Sequence, residues 1–592
     1  MRTRILAIAA LGTLGLQAFA ASSERGFQFL SASEAASELG AVIQTGSSAA
    51  MWVWTDKVVY SPGDQVTVRW TVKPNNDFYP YTIVAYRQNN QTGAKSYLPN
   101  NNSTATDIFG NTVDQGFRIT RLPAANKAVI VGQGGSVVSS TLTVPNELGM
   151  HTIVVQLRDY SGGRVLKAAY WKLGVVSAQE DLPSNITESR TLTNDKAYRI
   201  RGIVTVRNNA TLTVNPGTFL IGQPGSQPPS VLLVATNGKL VAEGTKSRPI
   251  IMTSSQAVGS RQRGDWGGLI MLGQAPINDP GGKLTIEGLP ELPETNYGGS
   301  DANHNCGSLK YVRVEFAGSL LRPNEETNSF TWGACGKATK AEYLQASYGL
   351  DDSFEWFGGT MDAKYLVGAF GADDYFDGQI GWSGRVQFGA VIANSDLSNR
   401  GMEMDNYERD FAAKPLGKPT FYNLTFIGNA ANGFDESDSP CLYFRRGAGG
   451  IYNNIICQNW TTRGVGGANL DAIQPNIDNG DFNMNGILLW ENGKNTTPAA
   501  ASTLAGQVLA GLQAFAGSSR NFLVADPLLA RPLEYSDPDL RPAPNSPAYR
   551  ASFVQPPDDG FFDQSATYIG AFDQSNWMEE WTQLVQEQDL KP

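Results

Sequence analysis

"LDDSFEWFGG" (350–359) and "DDYFDGQIG" (373–381) decide the fold. Each holds two adjacent aspartates, a Phe, another acid and a closing Gly. At an offset of 22 the match extends in both directions. Ala341 meets Ala363, Tyr343 meets Tyr365, Leu344 meets Leu366 and Gly349 meets Gly371. Asp351 meets Asp373, Asp352 meets Asp374, Phe354 meets Phe376 and Gly359 meets Gly381. A fixed period of about this length is that of one coil of a three-sided β-helix. Parallel strands otherwise need long crossovers, and a chain that winds and stacks on itself avoids them. Looser echoes extend the pattern: "KYVRVEFAG" (310–318), "EYLQASYG", "KYLVGAFG", "FYNLTFIGNA", "IYNNIICQNW" and "MNGILLWENG". Before them, "GIVTVRNNATLTVNPGTFLIG" and "SVLLVATNGKLVAEGTKSRPIIMTSS" are short β runs closed by Gly, Asn or Pro.

The fold expected is all-β: a right-handed parallel β-helix over 180–572, preceded by a β-sandwich over 46–177 and closed by a capping helix and tail over 573–592. In the sandwich region, "QVTVRWTV", "YTIVAYRQ", "SSTLTV", "HTIVVQLRD" and "AAYWKLGVV" alternate apolar and polar residues, as half-covered strands do. "TDKVVYSPGDQVTVRW" resembles the first strands of immunoglobulin-like and macroglobulin-type domains. Residues 1–20 read as a signal peptide: Arg2 and Arg4, an apolar run, then "AFA". Residues 21–45 read as a linker in which "SASEAASEL" forms a short helix. The expected location is secreted, periplasmic or at the outer cell surface, with no membrane span. A helix is expected over 499–516. A second, placing Trp577, Trp581, Leu584 and Val585 on one stripe, would cover the solenoid end. Four cysteines suit an oxidising compartment. They allow three pairings, of which Cys306 with Cys335 and Cys441 with Cys457 is favoured.

"ATLTVNPGTFLIG", "GKLVAEGTKSRPIIMTS", "GDWGGLIMLG", "YVRVEFAG", "DDSFEWFGG", "YFRRGAGG" and "YIGAFDQSNWMEEWT" together resemble a family of bacterial secreted β-helix proteins, and through it a leptospiral outer-membrane lipoprotein. "PDLRPAPNSPAY" (538–549) is similar to the closing segment of many β-helix proteins, polysaccharide lyases included. The resemblance implies the fold and no activity. His304 and Cys306 in "DANHNC" depart from the family's pattern and put an ion site in that loop in doubt.

Beneath the 22-residue match lies a simpler pattern, a bulky apolar residue followed by an acid: Phe354-Glu355, Phe376-Asp377, Met402-Glu403, Phe434-Asp435 and, as a possible fifth, Leu470-Asp471. Neighbours on a strand face opposite ways, so an inward apolar residue sends its acid outward. Stacked coils then build a carboxylate column with a step of about 4.8 Å. Two such charges repel by about 0.9 kcal/mol in water and about 3.5 kcal/mol at an effective dielectric of 20. Three offsets are open. The acids splay into water; arginines sit among them, with Arg385, Arg400, Arg409, Arg445 and Arg446 as candidates; or calcium bridges Asp351, Asp352, Asp373, Asp374 and Asp377. Aromatics accompany the acids, and about half of them are expected in the core. Trp356, Tyr375 and Trp382 are the candidates for stacking sugar rings.

Net charge is −10 and no basic stripe stands out in the sequence, which argues against a nucleic-acid partner. Two histidines, His151 and His304, without evident Ser or Cys partners argue against a nucleophilic triad. Glycoside hydrolysis needs two carboxylates, for which Glu355, Asp377 and Glu403 are the candidates. A lyase would need calcium and a basic group: Arg445, Arg446 or Lys364. The reading preferred is non-enzymatic binding of a polysaccharide or cell-surface partner, with a polysaccharide-degrading lyase or glycosidase as the alternative.

Overall fold

The structure is a computed structural model that describes residues 50–73, 82–97, 119–120, 138–158, 165–322, 325–393, 397–429, 439–493, 503–512 and 522–590. The signal peptide, the linker helix and Phe434-Asp435 lie outside them.

Each of the five alternating runs forms a strand. Ala50–Thr55, Gln65–Lys73 and Val138–Thr143 make a three-stranded antiparallel sheet. Thr82–Asn89, Gly149–Arg158 and Val165–Val175 anchor a six-stranded one. The alternation works as expected: Trp54, Val66, Val68 and Trp70 of the first sheet share one apolar core with Ile153, Val155, Trp171 and Leu173 of the second.

From Ala178 the chain winds into a right-handed parallel β-helix with one 15-stranded and one 10-stranded sheet. Five consecutive strands of the smaller sheet carry the site: β1 (Phe330–Gly333), β2 (Phe354–Phe357), β3 (Phe376–Gln379), β4 (Met402–Met404) and β5 (Leu442–Phe444). Their register stacks Phe330, Phe354 and Phe376, and beside them Thr331, Glu355, Asp377, Glu403 and Tyr443. The Phe rings fill the interior at centroid steps of 5.2 and 5.5 Å.

In the larger sheet, one residue per coil turns a corner with positive φ: Tyr311, Tyr343, Tyr365, Phe388, Asn423 and Asn454. That conformation costs a non-glycine residue about 1–3 kcal/mol. Successive aromatic rings stack at 4.4, 4.2 and 4.8 Å, close to the coil step, which offsets part of this cost. The asparagines are pinned instead by the C-terminal segment: Asn423 Nδ2 donates to Tyr568 O (2.8 Å) and Asn454 Nδ2 to Val554 O (2.7 Å).

Three expectations about the ends need correction. Residues 573–590 form turns and one 3-10 helix, Glu587–Leu590, and they do not cap the solenoid. They run along its side: Trp577 and Trp581 meet Tyr365, Tyr343 and Tyr311 edge-on, and Leu590 enters the N-terminal core. Trp577 and Trp581 pack on the tyrosine stack while Val585 and Leu590 pack on the N-terminal core, so one helical stripe does not serve them all. The 499–516 helix is not continuous, since Val508 is extended (φ −128°) and bridges Val465. Instead α1 (Leu470–Asp478) and the short turn Leu504–Gln507 pack over the last coils, with Ile473, Val508 and Leu512 in the core. Asp471 therefore lies on a helix and is no step of the column.

Both disulfides are the local ones, Cys306–Cys335 and Cys441–Cys457, and all four cysteines are buried. Among the described residues no helix is long and apolar enough to cross a membrane.

Candidate functional site

Glu355, Asp377 and Glu403 are register partners on β2, β3 and β4, so the acid column exists. It points out of the coil but not into water. Glu355 is 3% exposed, Asp377 8% and Glu403 2%. The reason is the long insertion at 273–306. Its Ile277, Ile286, Leu289 and Tyr297 pack on Phe357, Ile380 and Tyr407, the outward-facing neighbours of the column. The column ends after Glu403, where the next partner is Tyr443.

A second ladder runs beside the first. Asn328 Oδ1 accepts from Asp352 N (3.1 Å), Asp352 Oδ1 from Asp374 N (2.9 Å), and Asp374 Oδ1 from Arg400 N (2.6 Å). Each side chain thus caps the backbone one coil on. This explains why Asp352 and Asp374 repeat in the sequence.

Three groups of carboxylate oxygens lie within 4.8 Å of one another: Asp351, Asp352 and Asp373; Asp352, Glu355 and Asp377; and Asp374, Asp377 and Glu403. Burial raises the Asp351, Asp352, Glu355, Asp374 and Asp377 carboxyls well above their usual range, and their acidic neighbours add to it. Burial also raises Glu403, to about 7, with Arg400 pulling it back.

The compensation is uneven. Arg400 Nη1 meets Glu403 at 2.5 Å and Asp374 at 3.6 Å. Arg445 bonds Glu403 and Asp405, and Arg446 reaches Asp405 at 2.8 Å. Two of the candidate arginines, Arg400 and Arg445, therefore serve the third group, and Arg446 serves the neighbouring Asp405. Arg385 pairs instead with Asp362 and Asp559, and Arg409 with Glu408. Lys364 sits against Phe561 on the larger sheet, away from the acids. In the second group no ion pair forms among the described residues. Among the described residues Glu355 accepts from the amides of Asn328 and Gln379 (2.8 Å to the latter), and Asp377 Oδ1 is buried with no donor.

The aromatic platform is overturned. Trp356, Tyr375 and Trp382 are 0%, 0% and 1% exposed. Trp356 shares the inward face of Phe354, two residues earlier, as strand alternation demands. Its register partner is Gly378, and Trp382 fills the room that residue leaves, stacking on Trp356 at 4.4 Å. Tyr375 bonds Ser398 inside the coil. No sugar ring reaches these faces.

A family model described as a pectate-lyase-like β-helix domain matches residues 184–518, more than half of the chain. The chain belongs to the pectate-lyase-like β-helix family. Its members' shared frame is the coil, and the acid column lies inside the matched region. No curated protein matches the chain.

An all-oxygen set suits a hard cation. Calcium binds oxygens at about 2.4 Å, so two ligands on opposite sides are about 4.8 Å apart. Each of the three groups in this β-helix meets that limit, and Asp377 Oδ1 has no donor among the described residues. Asn328, Gln379 and Asp405, which complete the surroundings, are absent from the 22-residue match. Only their place one coil away gives them a role.

Proposed function

We propose that this pectate-lyase-like β-helix protein is a secreted or outer-cell-surface binding protein, not an enzyme. It engages a polysaccharide or a partner surface, and calcium stabilises its acid column. The observation that carries this reading is the sealing of Glu355, Asp377 and Glu403. A glycosidase must bring its two carboxyls to the scissile bond, and these three lie beneath packed chain. Nor does a lyase base come to hand. Burial disfavours charge on Arg445, but Glu403, Asp405 and Asp377 outweigh it and hold the guanidinium charged.

Binding then falls to other surfaces. A cleft of about 530 Å³ lies between the N-terminal sheets and the C-terminal segment, lined by Trp52, Lys167, Tyr170, Asp537, Arg541 and Gln583 among others. Such interfaces are favoured ligand sites. The apolar leader run supports export, and the motifs resembling a leptospiral lipoprotein fit the same address.

The lyase reading keeps one support: Arg445 is 26% exposed beside the acids. A glycan array and a turnover assay, each run with and without calcium, separate the two. Retention without product is expected. Release of unsaturated oligosaccharides, lost in Arg445→Ala, would establish the lyase instead.

A further inference from the structure

The cleft between the N-terminal sheets and the C-terminal segment runs along the edge of a strand. Val165–Val175 pairs on one side with Gly149–Arg158 over its whole length. On its other side it pairs only with Val59 and Tyr60, at Gly174 and Val175. The chain before Val59 leaves this sheet, and Ala50–Thr55 pairs with Gln65–Lys73 in the other one. A gap is left beside residues 165–173. The cleft occupies it: Lys167, Ala168 and Tyr170 line one wall, and Met51, Trp52 and the C-terminal segment the others.

The ladder fixes what the strand presents there. Gly174 N donates to Val58 O and Val176 N to Tyr60 O (both 2.9 Å), so these even-numbered residues turn their backbone groups away from Gly149–Arg158. Alternate residues of an antiparallel strand share that direction, and the register runs without a shift from Gly174 to Ala168. Ala168 and Tyr170, both half-buried, therefore each offer an N–H and a C=O to the cleft. Among the described residues no backbone group pairs with these four. The opposite wall is already satisfied, since Met51 N donates to Asp537 Oδ2 (2.9 Å).

Charge adds a second condition. Lys167 pairs with Asp537 and Arg541 with Asp539, both at 2.6 Å, and Glu580 lies 3.6 Å from Lys172. Glu579 lines the same cleft, is exposed, and makes no ion pair among the described residues. The unmatched charge of the cleft is negative.

We infer that the cleft is a docking site for an extended, basic peptide segment of a partner protein, which adds a strand to the edge at Ala168 and Tyr170. This narrows the binding reading above to a polypeptide partner at one place, and it rests on that reading. An open strand edge binds a peptide through main-chain hydrogen bonds, and the flanking groups select its side chains. A strand repeats an N–H and a C=O on one side every two residues, about 6.8 Å. Ala168 and Tyr170 have that spacing, which a sugar chain does not reproduce with both donor and acceptor. A lysine or arginine of the peptide then meets Glu579. The volume of about 530 Å³ is that of an ordinary ligand site.

The test is fluorescence anisotropy with the full-length protein and a labelled octapeptide of alternating Lys and Val. Saturable binding is expected. The same peptide N-methylated throughout loses its backbone donors and should bind about tenfold more weakly or worse. A Glu-Val octapeptide should also bind more weakly than the Lys-Val one. Ala168→Pro removes an outward N–H and leaves the ladder to Gly149–Arg158 in place, as an edge position permits. It should weaken binding about tenfold. Should that variant fail to fold, Glu579→Gln at its exposed position decides, by weakening the Lys-Val peptide and reducing the salt dependence of its binding. The inference is overturned by folded wild type that binds no Lys-Val peptide at 1 mM, by equal binding of the N-methylated or Glu-Val peptide, or by a folded variant that binds like wild type. A protein that fails these tests and still retains glycan on the array keeps the wider binding reading and loses this one.

Discussion

Glu355 and Asp377 stand in register on adjacent strands, buried, and no lysine or arginine among the described residues forms an ion pair with either. This sets the sign of the pH dependence. Burial raises both carboxyls in the folded state, so the folded chain binds more protons than the unfolded one. Stability then falls as pH rises from the ordinary carboxylate range, about 4, through the raised values, with Glu403 contributing up to about 7. With chelator, Tm should drop between pH 5 and pH 8. Saturating calcium should flatten the drop, because the ion replaces the protons. A chelated protein whose Tm holds steady or climbs over that range would contradict the buried column.

How much of this the sequence discloses depends on insertion length. The coil from Phe354 to Phe376 carries no insertion, so the period and the facing of Glu355 and Asp377 are legible. Glu403 also keeps its phase. The next coil is longer, and its phase falls on Tyr443, a residue that no acid pattern selects. Strand alternation places Trp356 with Phe354 inside, so the burial of Trp356 is legible in the two-residue spacing. The sealing of the acids was not legible, because it depends on Ile277, Leu289 and Tyr297 folding back from a loop with no repeat of its own.

Trp356→Ala should act on stability and not on glycan retention. The ring is wholly buried between Trp332 and Trp382, at 5.3 and 4.4 Å. Removing a buried aromatic of this size costs about 3–5 kcal/mol. A shifted urea midpoint, with unchanged retention by the protein that remains folded, is the expected result. Weaker retention at an unshifted midpoint would return the ring to the surface.

Cys441 and Cys457 close a short loop, with a sequence separation of 16. In the chain-entropy account such a link restrains the unfolded state by about 3 kcal/mol. Replacing both by Ser should lower the denaturant midpoint accordingly, and mild reduction of the native protein should be slow because both residues are buried. Unfolding curves for the oxidised and the Ser forms measure the difference.

Glu587 is the anchor of the C-terminal segment. Its Oε1 accepts from Gly259 N (2.6 Å), Arg261 N and Arg261 Nε (both 3.1 Å), and its Oε2 from Arg261 Nη2 (2.8 Å). Arg261 is only 6% exposed, and its other carboxylate, Glu315, is 3.6 Å away and already bonded to Arg313. Truncating one partner of a buried pair strands the other, at a cost of about 3–5 kcal/mol. Glu587→Ala should therefore lower the unfolding midpoint and expose residues 573–590 to protease, freeing Leu590 from the N-terminal core. The double variant Glu587→Leu, Arg261→Met removes the stranded charge along with its partner, so it should recover most of the loss. If E587A keeps both its midpoint and its protease resistance, Trp577 and Trp581 hold the segment against the tyrosine stack without the ion pair.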